Sequence, residues 1–232
     1  MSEVIDALKK IICLSAVSET PFPHIVINSF LPQWFAQEIS HYYYENNKGL
    51  DKFLNSEIVL GYANPERFVI EIEESTNEPI IKKLNALFSS RDIYESIARK
   101  FEISINSDSV AFRGQVTRDT NQYALGIHTD HPSKIFTIIV YLTPGKVDEI
   151  PGTTLYESKF GFTSSGLAMY YQDFKYITEA TTVPHKFNTA LIFARSDTSF
   201  HGVKNIQNQN PRLTLQLNYF KNSIDLKKSN LI

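Results

Sequence analysis

Apolar residues recur at helical spacing in three stretches of the first half of the chain. Residues 2–14 and 31–44 each carry one apolar stripe, and Pro32 stands in the first turn of the second stretch, where a helix accepts proline. Residues 78–101 show the same spacing, with a break near residues 89–92. The pattern predicts a helical N-terminal part that covers about residues 1–105.

Short runs of β-branched and aromatic residues dominate from Ser109 onward and predict strands. In the last run apolar and polar side chains alternate, so they lie on opposite faces. The predicted strands are 22–30, 68–72, 111–118, 135–142, 154–156, 166–171, 190–193 and 213–220. Helices first and strands later predict an α+β fold, with the helices packed on one face of a β-sandwich.

Length and composition limit the possible classes of protein. A chain of 232 residues is long enough for one well-buried core, so we expect a single domain, 1–232, with its β core at about 106–221. The net charge of −2 argues against a nucleic-acid partner. No apolar run approaches the roughly 18 residues of a membrane span, and no secretory signal is recognisable.

The single cysteine, Cys13, excludes an internal disulfide. A chain without disulfides suits a reducing compartment, so we expect a cytoplasmic protein. Cys13 lies in an apolar segment and is predicted to be packed rather than reactive. The sequence does not indicate an oligomeric state.

The most informative chemistry lies at His128 and Asp130, which one residue separates. In an extended segment residues i and i+2 point to the same side, so the imidazole and the carboxylate share a face. His201 follows a second apolar run and a polar turn, and it is well placed to supply a third ligand. Two imidazoles and one carboxylate leave positions open on a metal, as in non-haem Fe(II) oxygenases. An acid in the preceding turn, Asp197, is a candidate to orient the His201 ring.

Arg212 lies 11 residues past His201, and Thr214 follows on the same strand face. The planar guanidinium fork binds a carboxylate through two parallel hydrogen bonds. The pair is therefore a candidate to hold the far end of a dicarboxylate co-substrate. An exposed strand arginine is the simpler alternative.

In this order the motifs resemble those of the prolyl-4-hydroxylase-like branch of the Fe(II)/2-oxoglutarate-dependent dioxygenases, especially small bacterial and phage-type members. The resemblance covers about residues 20–221. It rests on the segments Pro21–Phe30, His128–Asp130, Gly152–Tyr156, Phe200–Val203 and Arg212–Thr214. One departure is Thr153, which stands where the family has the second glycine of a Gly-rich turn.

The resemblance implies a double-stranded β-helix core, a relative of jelly rolls and cupins, with the N-terminal helices packed on one face. It implies Fe(II), 2-oxoglutarate and O2 as cofactor and co-substrates, with ascorbate as a candidate reductant. The implied metal ligands are His128, Asp130 and His201, and the implied co-substrate residues are Arg212, Thr214 and Tyr141. The expected reaction is hydroxylation of an unactivated C–H bond of a small molecule or a prolyl or peptidyl substrate, with release of succinate and CO2.

Further polar residues near these motifs are candidate substrate contacts. They are Tyr123, Arg118, Arg113, His131 and Asn218. Arg113 and Arg118 lie on opposite faces of a regular strand, so only one of them can line a pocket. For His131 a loop position is the preferred interpretation. Residues 46–76 are expected to include the substrate-facing loops.

Two alternatives stay open. One is a cupin-like metalloenzyme that does not use 2-oxoglutarate, and the pairing of Arg212 with Thr214 argues against it. The other is a non-catalytic binding module on the same fold, and the complete ligand set argues against that. The short, non-basic chain favours a small-molecule substrate over a protein.

Overall fold

The computed structural model describes residues 2–45, 66–145 (74 and 76 excepted), 149–165, 175–207 and 210–221, together with short strands at 54–55, 58–59, 62–63 and 170–171. Among these residues, four α-helices precede the main run of strands. They are α1 (Ser2–Leu14), α2 (Gln33–Ser40), α3 (Pro79–Phe88) and α4 (Arg91–Lys100). A π-helical turn, His41–Glu45, extends α2, and a 3-10 turn, Ser107–Ser109, follows α4.

Residues at the ends of α3 and α4 explain where these two helices begin and end. Pro79 starts α3, where its missing N–H is not needed. Ser89 and Ser90 separate α3 from α4, which confirms the predicted break. Arg99 and Lys100 occupy the last turn of α4, where cations interact favourably with the helix dipole.

Fourteen strands are found among the described residues. They are β1 (His24–Ile27), β2 (Leu54–Asn55), β3 (Ile58–Val59), β4 (Tyr62–Ala63), β5 (Arg67–Ile72), β6 (Ala111–Asp119), β7 (Leu125–His128), β8 (Lys134–Tyr141), β9 (Thr153–Ser158), β10 (Tyr170–Tyr171), β11 (Ile177–Val183), β12 (Thr189–Ala194), β13 (His201–Val203) and β14 (Arg212–Phe220). They form a seven-stranded sheet, β1-β12-β8-β14-β6-β5-β2, and a five-stranded sheet, β10-β7-β13-β9-β11. Strands β3 and β4 pair separately.

The seven-stranded sheet separates two packed layers. Alternation along β14 places Leu213, Leu215 and Leu217 on the outer face, in one core cluster with buried residues of all four helices. The inner face meets the smaller sheet, and Ile139 and Leu155 belong to the cluster between the two sheets. The mixed helix and antiparallel-sheet architecture, with helices on one face, agrees with the predicted α+β class.

Several boundaries differ from those predicted. The strand expected at 22–30 is only His24–Ile27, and the helix expected at 31–44 ends as a π turn. The strands β2, β3, β4, β7, β11 and β13 were not predicted. Of the strand expected at 166–171, residues 166–169 lie outside the described part, as does most of the loop region 46–76.

The expected packing of Cys13 is wrong, because its side chain is exposed. The buried stripe of α1 consists of Val4, Leu8 and Ile12, so Cys13 falls one position off it. In the described part of the chain, no helix has the length and apolarity needed to cross a membrane.

Candidate metal centre

The structure brings His128, Asp130 and His201 together at one end of the smaller sheet. One potential ligand atom from each residue lies within 4.8 Å of the others. His128 ends β7 and His201 begins β13, and the two are directly opposed in the antiparallel ladder, with ring centroids 4.2 Å apart. These three residues therefore form a 2-His-1-carboxylate cluster of the type that binds Fe(II).

A glycine makes this close pairing possible. A Cβ at Gly202 would lie 2.8 Å from the carbonyl oxygen of Leu125, a distance that real side chains avoid. Without a side chain at this position, β13 can approach β7 closely enough for His201 to face His128. The glycine therefore belongs to the construction of the cluster.

Backbone carbonyls orient both imidazoles. Nδ1 of His128 lies 2.9 Å from the Gly126 oxygen, and Nδ1 of His201 lies 3.0 Å from the Ser199 oxygen. Each Nδ1–H donates to its carbonyl, so the lone pair of each ring is on Nε2. Both rings are thus in the tautomer that binds a metal through Nε2.

Two side chains hold the carboxylate of Asp130. The Lys134 ammonium donates to Oδ1 at 2.7 Å, and the Thr137 hydroxyl donates to Oδ2 at 2.7 Å. Burial alone would raise the pKa of Asp130, but the nearby Lys134 ammonium and the two imidazoles lower it overall. Asp130 is therefore ionised, as a metal ligand must be.

The two histidines are neutral at neutral pH. Burial, and then the neighbouring His201, lower the pKa of His128 to about 3. Burial and the Lys134 ammonium also lower the pKa of His201, against the opposing effects of Asp130 and the Ser199 carbonyl. A metal ion would therefore not have to displace a proton from either ring.

Asp197, the acid expected to orient the His201 ring, pairs with other side chains. Asp197 pairs with Arg195 at 2.5 Å and accepts a hydrogen bond from Ser164 at 3.1 Å. The tight turn before β13 places the Ser199 carbonyl, rather than the carboxylate, against the His201 ring.

A second cluster of charged residues is buried on the inner face of the larger sheet. Arg212, Asp119 and Arg67 lie side by side on β14, β6 and β5. Asp119 accepts from Nε and Nη2 of Arg67 at 2.6 and 3.0 Å, and from Nη1 of Arg212 at 2.8 Å. Arg212 is only 1% exposed, so its charge is held away from solvent.

One edge of the Arg212 guanidinium is left open. Its Nε has no hydrogen-bond partner among the described residues, and Nη2 makes a long 3.5 Å contact with Thr153. Nε and Nη2 form the side of the fork that binds a carboxylate bidentately, as Arg67 does with Asp119. This edge therefore offers two donors that fit one carboxylate of a dicarboxylate.

Tyr141 and Thr153 border this position. The guanidinium carbon of Arg212 lies 5.6 Å from the centre of the Tyr141 ring, and the Tyr141 hydroxyl donates to Thr153 at 2.9 Å. Burial raises the pKa of Tyr141 despite the nearby arginine, so the phenol stays protonated and can donate. Thr214 shares the same strand face, where its hydroxyl lies 2.5 Å from that of Thr117.

The predicted substrate residues divide between the two sides of the larger sheet. Asn218 and Arg113 are paired across β14 and β6 on the inner face. The Asn218 amide oxygen lies 3.3 Å from the Thr137 hydroxyl oxygen, which places Asn218 next to the group that holds Asp130. Arg118 lies on the outer face, with its guanidinium 6.0 Å from the Tyr44 ring.

The other two predicted substrate residues, Tyr123 and His131, contact neighbouring residues of the fold. Tyr123 is buried, and the Arg67 guanidinium lies 4.4 Å above its ring. Nδ1 of His131 accepts from the Ser133 backbone N–H at 3.2 Å and so shapes the turn that leads to Lys134.

Four residues that belong to the arginine cluster (Arg67, Asp119 and Arg212) or lie next to it were assigned no role from the sequence. They are Arg67, Asp119, Thr153 and His185. The sequence shows Thr153 as a departure from the family's Gly-rich turn. That its hydroxyl accepts a hydrogen bond from Tyr141 is known only from the structure. The other three come from distant segments that carry no motif.

The fold is similar to those of several solved oxygenase structures. A prolyl 4-hydroxylase of Pseudomonas putida shares 13% identity and a TM-score of 0.59, over 94% of this chain and 99% of that one. A Trichoplax adhaerens prolyl hydroxylase, solved with a hypoxia-inducible-factor peptide fragment, shares 12% identity and a TM-score of 0.56, over 99% and 92%. HygX of Streptomyces hygroscopicus, solved with nickel, 2-oxoglutarate and hygromycin B, shares 11% identity and a TM-score of 0.52, over 85% and 82%.

Sequence comparison alone does not find these similarities. No known family model and no curated protein sequence matches the chain. The structural similarity extends over nearly the whole chain, as the motif resemblance does. The chain therefore has the fold of solved Fe(II)/2-oxoglutarate-dependent oxygenases, prolyl hydroxylases among them.

Proposed function

We propose that the protein is an Fe(II)- and 2-oxoglutarate-dependent dioxygenase that hydroxylates a polar small molecule. The observation that carries this proposal is the open Nε–Nη2 edge of Arg212, on the same inner sheet face as Thr137, which binds Asp130. A buried guanidinium with an unpartnered fork is costly unless a ligand completes its hydrogen bonds. A 2-oxo dicarboxylate requires metal ligands for its keto-acid end and a guanidinium for its other carboxylate, and this interior contains both kinds of group.

Each part of the co-substrate has a partner in this proposal. His128, Asp130 and His201 would hold the iron, and Arg212 would bind the carboxylate remote from the metal, with Tyr141 and Thr214 beside it. Bound iron, with 2-oxoglutarate and O2, supplies the oxidising power for hydroxylation, and succinate and CO2 are released.

The protein's own side chains prepare this interior. The Gly126 and Ser199 carbonyls fix the imidazole tautomers, and Lys134 and Thr137 fix the carboxylate. Along β8, Ile139 stands between Thr137 and Tyr141 on the inner face and packs with apolar residues of β9 and β12. An apolar lining excludes water, which strengthens the pairing of a carboxylate with Arg212.

The choice of a polar small molecule rests on the side chains beyond Asn218. Arg113 and Glu71 form a partly exposed ion pair at 2.7 Å, and Gln115 also donates to Glu71 at 2.7 Å. These charged and amide groups lie on the inner face and suit a substrate rich in hydroxyl, amino or carboxylate groups. A prolyl or peptidyl substrate is the alternative outcome of a substrate screen.

We further infer that the two sheets form a double-stranded β-helix and that residues 1–232 make one domain. In support, the inner face of the larger sheet packs against the smaller sheet, and its outer face packs against the helices.

The test is Fe(II)-dependent release of succinate from 2-oxoglutarate under air, with a panel of polar small molecules and a prolyl peptide. Wild type should release succinate, and His201→Ala should abolish the release. At limiting 2-oxoglutarate, Arg212→Met should lower the rate about 100-fold, the usual scale for truncating a buried charged contact. Arg91→Met, at an exposed surface arginine, is the matched control and should behave as wild type.

One result would replace the proposal. If wild type binds Fe(II) tightly but consumes no 2-oxoglutarate with any substrate, a cupin-like metalloenzyme without this co-substrate becomes the better interpretation. Absence of metal binding would instead favour a non-catalytic module.

A further inference from the structure

His185 is a buried imidazole whose hydrogen bonding is incomplete. The residue is 3% exposed, and neither Nδ1 nor Nε2 has a hydrogen-bond partner among the described residues. A buried imidazole without partners costs free energy, and a hydrogen bond to a ligand would offset that cost. No motif in the sequence pointed to this residue.

The backbone around His185 forms a tight turn that fixes the position of the residue. A hydrogen bond from Lys186 N to Pro184 O, 2.9 Å long, makes His185 the central residue of a three-residue turn between β11 and β12. A Cβ at Gly152 would lie 1.7 Å from the Val183 oxygen and 3.0 Å from His185 N. The backbone of this turn therefore presses against Gly152, the residue directly before Thr153.

This position places the ring beside Tyr141, which also borders the Arg212 guanidinium. The His185 and Tyr141 ring centroids are 4.9 Å apart. Burial and the neighbouring Arg212 guanidinium lower the pKa of His185 well below its ordinary value, so the ring is neutral and has one N–H to donate. The unsatisfied nitrogens of His185 and Arg212 thus belong to two residues that both lie against Tyr141, whose hydroxyl donates to Thr153.

We propose that His185 is a third donor, with Arg212 and Tyr141, to the carboxylate of the co-substrate remote from the metal. His185 is then a determinant of specificity for a dicarboxylate over a 2-oxo monocarboxylate. This inference rests on the proposed function and adds a residue to its co-substrate site.

The test compares two ligands by calorimetry on the Fe(II)-loaded protein without oxygen. 2-Oxoglutarate carries the remote carboxylate, and 2-oxopentanoate has a methyl group in its place. His185→Phe keeps an aromatic ring against Tyr141 but removes both nitrogens, and His185→Gln restores an N–H. The exposed His41, changed to Phe, is the matched control.

We expect His185→Phe to weaken 2-oxoglutarate binding about tenfold or more, the scale of one hydrogen bond to a charged group. Binding of 2-oxopentanoate should change less than about twofold, and His185→Gln should recover part of the loss. Without ligand, the melting temperature of His185→Phe should equal or exceed that of wild type, because a binding-site residue is not optimised for stability.

Two outcomes would overturn the inference. Unchanged 2-oxoglutarate affinity in His185→Phe would show that the ring does not contact the carboxylate. Equal losses for both ligands, with a lower melting temperature, would show a structural role only. Failure of the proposed function has a different signature, since wild type would then bind 2-oxoglutarate no more tightly than 2-oxopentanoate.

Discussion

Asp119 is the residue whose replacement tests the buried arginine cluster most severely. It is fully buried and accepts three charge-assisted hydrogen bonds, at 2.6, 3.0 and 2.8 Å, from Arg67 and Arg212. Asp119→Asn keeps the shape but removes the charge and turns an amide N–H₂ towards guanidinium donors. Removing one partner of a buried ion pair costs about 3–5 kcal/mol, because the other charge is left uncompensated.

The loss should appear as a lower midpoint in urea unfolding of the ligand-free protein, followed by circular dichroism. For a chain of this size, it corresponds to a fall of about 6–20 °C in melting temperature. Asp108→Asn is the matched control, because Asp108 is 86% exposed and pairs with an exposed Arg91, so its midpoint should equal that of wild type. A loss below about 1 kcal/mol for Asp119→Asn would refute the buried arrangement.

Three further predictions follow from the same contacts. Thr137→Val removes a donor to Asp130 and should weaken metal binding about 10- to 100-fold in competition with a chelator, and an unchanged affinity would contradict the role assigned to Thr137. Gly152→Ala places a Cβ against the Val183 carbonyl and should lower the free energy of unfolding by about 3 kcal/mol in urea, whereas a loss under about 1 kcal/mol would show that the turn can shift. The metal-free protein should lose stability as the pH falls below about 6.5, the ordinary pKa of histidine. In the folded state the pKa of His128 is about 3, and those of His201 and His185 are also lowered. Between these values only the unfolded chain takes up the protons, which favours unfolding. The slope should reach up to about 1.4 kcal/mol per pH unit for each histidine and be shallower in His185→Phe, and equal stability at pH 7 and pH 5 would contradict the burial of these rings.

Local periodicity explains what could be predicted. The i, i+2 spacing of His128 and Asp130 places both side chains on one face, as two ligands of one metal ion require. The alternation along 212–220 likewise separates the inner polar face from the outer apolar face. The helices of 78–101 and their break follow from spacing and from the two serines between them.

What could not be predicted depends on long-range register. Asp119 meets Arg67 and Arg212 across 52 and 93 positions of sequence, and no local pattern carries that information. Strand β13 is only three residues long and contains a glycine, so it shows no strand periodicity. His185 stands in a turn whose position depends on the contact with Gly152.

The most direct test of the central claim is an anaerobic titration of the metal-free protein with Fe(II) and then 2-oxoglutarate, followed by visible absorption. The predicted result is a weak charge-transfer band that requires both additions, is absent in His201→Ala and is weakened in Arg212→Ala. Tight Fe(II) binding by the wild-type protein without any such band would contradict the assignment of 2-oxoglutarate to this site.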